Sequence, residues 1–234
     1  MKYRAEITTK EQLSAALATS AFKYIYAPME FLNEKTQEKQ QIIAVPPVFL
    51  GGNEPRIAEE LRKLKEAGFK GALAHSLGHI ELIKSAGLSA HGGFRLNITN
   101  SIALKQYEEM GLADSIFSVE LPFKSMKHIA PGGSPVGIMA YGHLPLMICR
   151  RCPVRDDKHC GKSGCNSLTD RLGIKFRTYC RLGESEILNP VPLVLSDYDK
   201  APADFCVLRF SAGEKPDVGA RIARPTFTRG LYNK

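Results

Sequence analysis

The sequence predicts an α/β fold of the (β/α) barrel type, followed by a cysteine-rich segment and a small C-terminal β appendage. Three observations predict it. Short β-rich runs alternate with amphipathic helical stretches through residue 143, the pattern of a parallel sheet with crossover helices. No Gly-x-Gly-x-x-Gly fingerprint follows the first run, which removes the main sign of a doubly wound sheet. After His143 the periodicity gives way to charges and closely spaced cysteines. Two units are therefore expected, 1–143 and 144–234.

The strand candidates are residues 3–7, 24–27, 42–45, 71–75, 88–94, 115–121 and 136–141. Thr9 with Gln12 makes a capping-box pattern that opens a helix through Leu13, Ala16 and Leu17. Asn53 and Pro55 open a second helix through Ile57, Leu61 and Leu64, closed by Gly68. Ile80, Leu82 and Ile83 mark a third helix ended by Gly87, and Ile102 to Met110 a fourth ended by Gly111. Barrel chemistry sits at the C-terminal ends of the strands. His75, Asn97, Asn100, Glu120 and His143 all fall at or just beyond such ends. Residues 144–176 are expected as a metal-stabilised loop structure, and 187–195 and 203–210 as strands of the appendage.

The formal net charge of +8 is unevenly placed. Nine basic residues lie between Cys149 and Arg181 against three acidic ones, and the tail from Arg221 adds four with no acid. Such a patch suits an anionic partner, nucleic-acid phosphate or a small carboxylate, or else serves as a solvated face. Phe176, Tyr179, Phe227 and Tyr232 lie within the basic tracts, where they could stack on bases or simply pack. The N-terminus lacks a signal-peptide apolar stretch, and no run of roughly 18 apolar residues occurs, so a cytoplasmic protein without membrane insertion is expected.

Six cysteines are present: Cys149, Cys152, Cys160, Cys165, Cys180 and Cys206. Thiolates gathered this densely without a secretory context point to a bound metal rather than to disulfides. Spacing alone leaves zinc and an iron–sulfur centre both open.

Several segments then carry a resemblance. Phe94-Arg95-Leu96-Asn97-Ile98-Thr99-Asn100-Ser101, Ser118-Val119-Glu120-Leu121 and Tyr141-Gly142-His143-Leu144-Pro145-Leu146-Met147 are followed by Cys152-Pro153, Asp170-Arg171-x-Gly173 with Phe176, and Ile187-Leu188-Asn189. Together with the closing Thr228-Arg229-Gly230-Leu231-Tyr232, this order resembles the collagenase-like peptidase family of unassigned catalytic type. The resemblance implies a barrel-like domain and a four-cysteine [4Fe-4S] cluster on Cys152, Cys160, Cys165 and Cys180, with Cys149 as the substitute ligand. It also implies oxygen-independent hydroxylation of tRNA or rRNA bases, or of the ubiquinone ring, with a small carboxylated co-substrate for some RNA enzymes. Position 143 is His where the family usually has Arg, so an anion contact there would be weaker or pH-dependent. An N-terminal barrel segment usual in the family is missing from this sequence. An incomplete barrel, completed by a protein partner, is accordingly one expectation.

On this reading Asn97, Asn100, Glu120 and His143 are the candidate catalytic residues at the barrel mouth, and Arg150, Arg151, Arg171 and Arg177 the candidate substrate-binding residues. Two alternatives stand beside it. A peptidase would need a mechanism that the sequence scarcely offers: it has no His-Glu-x-x-His and no Gly-x-Ser-x-Gly, leaving a His75 and Glu120 pair acting on a water or a metal. The other alternative is a non-catalytic, metal-stabilised partner subunit.

Overall fold

The computed structural model describes residues 2–130, 132–150, 152–154, 167–181, 183–195 and 201–221, with only the backbone of 220 and 221. Eight parallel strands form a closed ring: β1 (Lys2–Glu6), β2 (Phe22–Pro28), β3 (Ile42–Val45), β4 (Gly71–Ala74), β5 (Ser89–Gly92), β6 (Leu112–Ile116), β7 (Val136–Gly142) and the last strand among the described residues, Phe205–Arg209. That last strand lies between β1 and β7, parallel to both, while β6 also pairs with β7. The barrel is therefore complete within the chain, which corrects the expectation of an incomplete barrel awaiting a partner. The stretch 203–210, expected in an appendage, supplies the closing strand.

Helices α1 (Lys10–Leu17), α2 (Glu54–Glu66), α3 (Leu77–Ser85), α4 (Ser101–Glu109) and the short α5 (Phe123–Met126) follow β1, β3, β4, β5 and β6 in turn, whereas β2 leads to β3 through short 3-10 turns only. The Thr9 capping box is present: the Thr9 hydroxyl accepts from the Gln12 amide at 3.3 Å, and the Gln12 side chain accepts from the Thr9 amide at 3.2 Å. Ile57, Leu61 and Leu64 of α2 and Ile80 and Ile83 of α3 are buried in the main core. This apolar stripe at helical spacing holds each helix to the sheet.

The barrel lumen is not apolar throughout. Arg4 on β1 reaches Asp114 on β6 at 2.8 Å, and these strands are not neighbours in the ring, so the contact crosses the interior. His91 Nδ1 meets the same carboxylate at 2.9 Å, and Arg4 donates to the Tyr26 hydroxyl at 2.6 Å while lying over the Phe205 ring. Burial opposes the charge on Asp114, but His91 and Arg4 outweigh it and hold the carboxyl below its ordinary range. The charge in the middle of β6 explains a misplaced boundary: the strand expected at 115–121 begins at Leu112.

Between β7 and the closing strand the chain leaves the barrel at its C-terminal mouth and builds a second sheet. Its strands are β8 (Pro145–Cys149), β9 (Ser167–Thr169), β10 (Lys175–Arg181) and β11 (Glu184–Leu188), antiparallel in the order β8-β11-β10-β9. Part of the expected loop at 144–176 is thus regular structure. The short β12 (Leu193–Val194) then pairs antiparallel with β7 outside the ring and leads back to the closing strand, β13.

Candidate active site at the roofed barrel mouth

Side chains alternate across a strand, so β10 and β11 each present two different faces. Tyr179, Arg181, Glu184 and Glu186 face the barrel, and the contacts they make roof its mouth. Arg181 grips Glu30 through two hydrogen bonds of 3.0 and 2.7 Å and donates to the Val45 carbonyl at 2.7 Å. Glu184 accepts the amides of Val48 and Phe49, both at 3.0 Å. Glu186 takes Arg95 on one carboxylate oxygen at 2.6 Å and Arg209 on the other, and Arg209 also donates to Glu6 at 2.9 Å. Burial disfavours the charged form of Glu186, yet Arg209 and Arg95 dominate and lower its pKa. These pairs are buried, so breaking one leaves a charge stranded out of water.

Beneath the roof is a chamber of about 20 Å³, room for one water, lined by Glu6, Thr8, His75, Arg95, Tyr179 and Glu186 among others. His75, just past the end of β4, is buried, and its Nδ1 has no hydrogen-bond partner. Burial first, then the nearby guanidiniums of Arg95, Arg181 and Arg209, push this imidazole well below its ordinary pKa, so it is neutral at physiological pH. Outside the chamber a groove of about 500 Å³ runs past Lys175, Arg177, Ser167, Leu188 and Ser211. It shares Thr8 and Tyr179 with the chamber, and the Tyr179 hydroxyl donates to the Thr8 carbonyl at 3.4 Å between them. No carboxylate lines the groove, and neither Lys175 nor Arg177 has an ion-pair partner among the described residues.

The other face of the same sheet carries the thiols. Cys180 pairs across the strands with Ser185, and Ser185 with Cys149, which sets all three on the side away from the barrel. Cys152 comes to Cys180 with a sulfur separation of 3.8 Å, and the Ser185 hydroxyl donates to Cys180 Sγ at 3.2 Å. Two thiolates on one tetrahedral ion with metal–sulfur bonds of about 2.3 Å stand about 3.8 Å apart, so this pair fits a thiophilic metal without rearrangement. The serine is the kind of outer hydrogen bond that orients a ligand sulfur. As a free thiol Cys180 is pushed up in pKa, by burial first. No group of three or more potential ligands gathers among the described residues; Cys160 and Cys165 lie outside them. Cys206 is fully buried in β13, as a small apolar residue would be.

The other candidates are spread over the mouth rather than gathered in the chamber. Asn97 is exposed in a left-handed conformation and accepts from the Ser118 hydroxyl at 2.5 Å. Asn100 caps α4 by accepting the Ala103 amide at 2.9 Å. Glu120 is exposed in the turn after β6, and its amide is bound by Ser118. His143 Nδ1 donates to the Asn189 carbonyl at 2.6 Å, tying the two crossings between barrel and roof. Arg150 lies over the Phe49 ring, with its guanidinium close against Gly51, where a β-carbon would collide. Arg171 and Arg177 are exposed, and Arg151 lies outside the described residues. Sequence reasoning missed the clamp of Glu6, Glu30, Arg181, Glu184, Glu186 and Arg209. Its one available signal was the alternation of Glu184, Ser185 and Glu186 at the start of the strand-like run 184–188.

No helix among the described residues is long and apolar enough to cross a membrane. No curated protein and no solved structure matches the chain. Residues 25–163, more than half of its length and spanning the barrel from β2 to the cysteine tract, match the sequence pattern of Peptidase family U32. The chain belongs to that family.

Proposed function

We propose that this chain is a thiolate-ligated iron–sulfur enzyme supporting oxygen-independent hydroxylation of RNA, with a small carboxylated co-substrate. The observation that carries the reading is the two-faced roof: Cys152 and Cys180 meet on one side of a sheet whose other side closes the barrel mouth. Cys152, Cys160, Cys165 and Cys180 would hold a [4Fe-4S] cluster, for which Cys152 and Cys180 would have to move apart from their 3.8 Å separation, and the cluster when bound would supply electron transfer next to the mouth. The chain's own residues supply the rest. Arg150, Arg171 and Arg177, exposed beside the groove or on the roof, take nucleic-acid phosphates, with Arg151 in the same basic tract. Asn97 and Glu120 border the mouth and orient the reacting group, and neutral His75 accepts a hydrogen bond or proton inside it.

The test is RNA from cells with and without the protein, analysed by mass for a base that loses one oxygen when the protein is missing. Restoration by the wild type but not by a Cys180→Ser variant supports the reading; an unchanged set of modified bases in the deletion contradicts it. Purified protein should bind RNA with a steep salt dependence, and Arg177→Gln should lower the slope by about one phosphate contact.

One observation favours a second reading. The 3.8 Å sulfur separation suits two ligands on a single ion, whereas ligands on separate corners of a cubane stand farther apart. A structural zinc would then knot the roof, and the chemistry would belong to the mouth alone.

A further inference from the structure

The ion pair that closes the mouth has an unusual division of labour. The barrel contributes two guanidiniums, Arg95 after β5 and Arg209 at the end of β13, with side chains 15 % and 5 % exposed. It supplies one carboxylate for them, Glu6, bound to Arg209. The second carboxylate, Glu186, comes from the inserted roof, and it offers one oxygen to each guanidinium. Two converging guanidiniums holding the two oxygens of one carboxylate is the geometry with which proteins recognise a carboxylate ligand. Next to it, inside the same chamber, sits His75 with its Nδ1 unpartnered. The groove leading to this point is cationic and has hydroxyl groups but no acid among the described residues.

We propose that Arg95 and Arg209 form a seat for the carboxylate of a small organic acid, and that Glu186 occupies this seat as a built-in plug until the ligand displaces it. This rests on the barrel mouth being the reactive end of the molecule. A chamber with room for one water admits no organic acid while the roof is down. Binding therefore requires β11 to lift, taking Glu186 out and leaving both guanidiniums to the ligand. The incoming acid passes Lys175 and Arg177 and then Tyr179, and its body is left facing His75. A ligand that binds only the unplugged form has its apparent affinity reduced by the fraction of molecules unplugged. Weakening the plug must then tighten binding.

The test uses the full chain with acetate and benzoate as probes, and chloride at equal ionic strength as control, read by calorimetry and by hydrogen exchange of the β11 amides. Wild type should bind weakly and saturably, with faster β11 exchange in the bound state. Glu186→Gln, which keeps the side-chain size and loses the charge, should bind at least about tenfold more tightly. Glu186→Ala should be destabilised and then rescued in melting temperature by acetate but not by chloride, and Arg209→Gln should abolish binding. Equal affinity in wild type and Glu186→Gln would overturn the proposal, as would rescue of Glu186→Ala with no binding to wild type at any concentration, which would mark a cavity made by the substitution. None of these readouts depends on the metal or on RNA, so loss of the hydroxylation reading and loss of this one are separate results.

Discussion

At the scale of single residues, His75 is a buried imidazole whose Nδ1 has no hydrogen-bond partner. An unsatisfied buried polar atom costs about 1–3 kcal/mol. His75→Leu should accordingly raise stability by about 1 kcal/mol in urea unfolding at pH 7 while impairing function. The pH dependence follows from the direction of the shift. The folded-state pKa lies well below the ordinary 6.5, so the unfolded chain binds the proton that the folded one refuses. Stability is then fully present above about pH 6.5 and falls as pH drops below it, by up to about 1.4 kcal/mol per unit, and His75→Leu should flatten part of that slope. Asp114 is a different case, a charge in the lumen whose Oδ2 is held by both Arg4 and His91 while its Oδ1 has no hydrogen-bond partner. Asp114→Ala should cost about 3–5 kcal/mol by leaving Arg4 buried without its carboxylate, and a paired Arg4→Met, Asp114→Leu replacement should recover much of it. Residue identity was partly legible in the sequence. Cys152 and Cys180 were placed in one ligand set by the family resemblance, and His75 was visible as a polar residue at a strand end. The Arg4–Asp114 pair was not, because only the closed ring brings β1 opposite β6.

At the scale of elements, the roof is the part that the sequence conceals. A half-buried strand announces itself by alternating apolar and polar residues, but β10 alternates Arg177, Tyr179 and Arg181 on one face with Phe176, Thr178 and Cys180 on the other, and neither face is simply apolar. Helices with caps and apolar stripes had no such ambiguity, and the Thr9 box and the glycine stops after α2, α3 and α4 mark them directly. The clamp makes its own prediction. Glu184→Gln removes the charge that binds the Val48 and Phe49 amides, and the β10 and β11 amides should exchange roughly 10-fold to 100-fold faster in native-state hydrogen exchange while the barrel amides stay unchanged. Because Arg209 and Arg95 hold Glu186 below the ordinary 4.5, its contribution to the clamp is complete above about pH 4.5 and is lost as pH falls through the lower folded-state value.

At the scale of the whole molecule, the barrel class was readable from seven strand candidates and the helices between them, whereas closure was not. The eighth strand lies far along the chain, beyond the roof, and nothing local in 205–209 says that it returns to pair with β1. The resulting layout places a thiol pair, a four-stranded roof and a barrel mouth in line, and the central proposal built on it is that the roof holds a metal on its outer face. The most direct test is anaerobic purification with quantification of iron, acid-labile sulfide and zinc and a visible absorption spectrum, for the wild type and for Cys180→Ser. The account predicts stoichiometric metal that is lost in the variant, with about four irons and four sulfides per chain if the centre is the proposed cluster and one zinc without sulfide if the roof is a structural knot. A chain that carries no metal, or that keeps it when Cys180 is replaced, would contradict it.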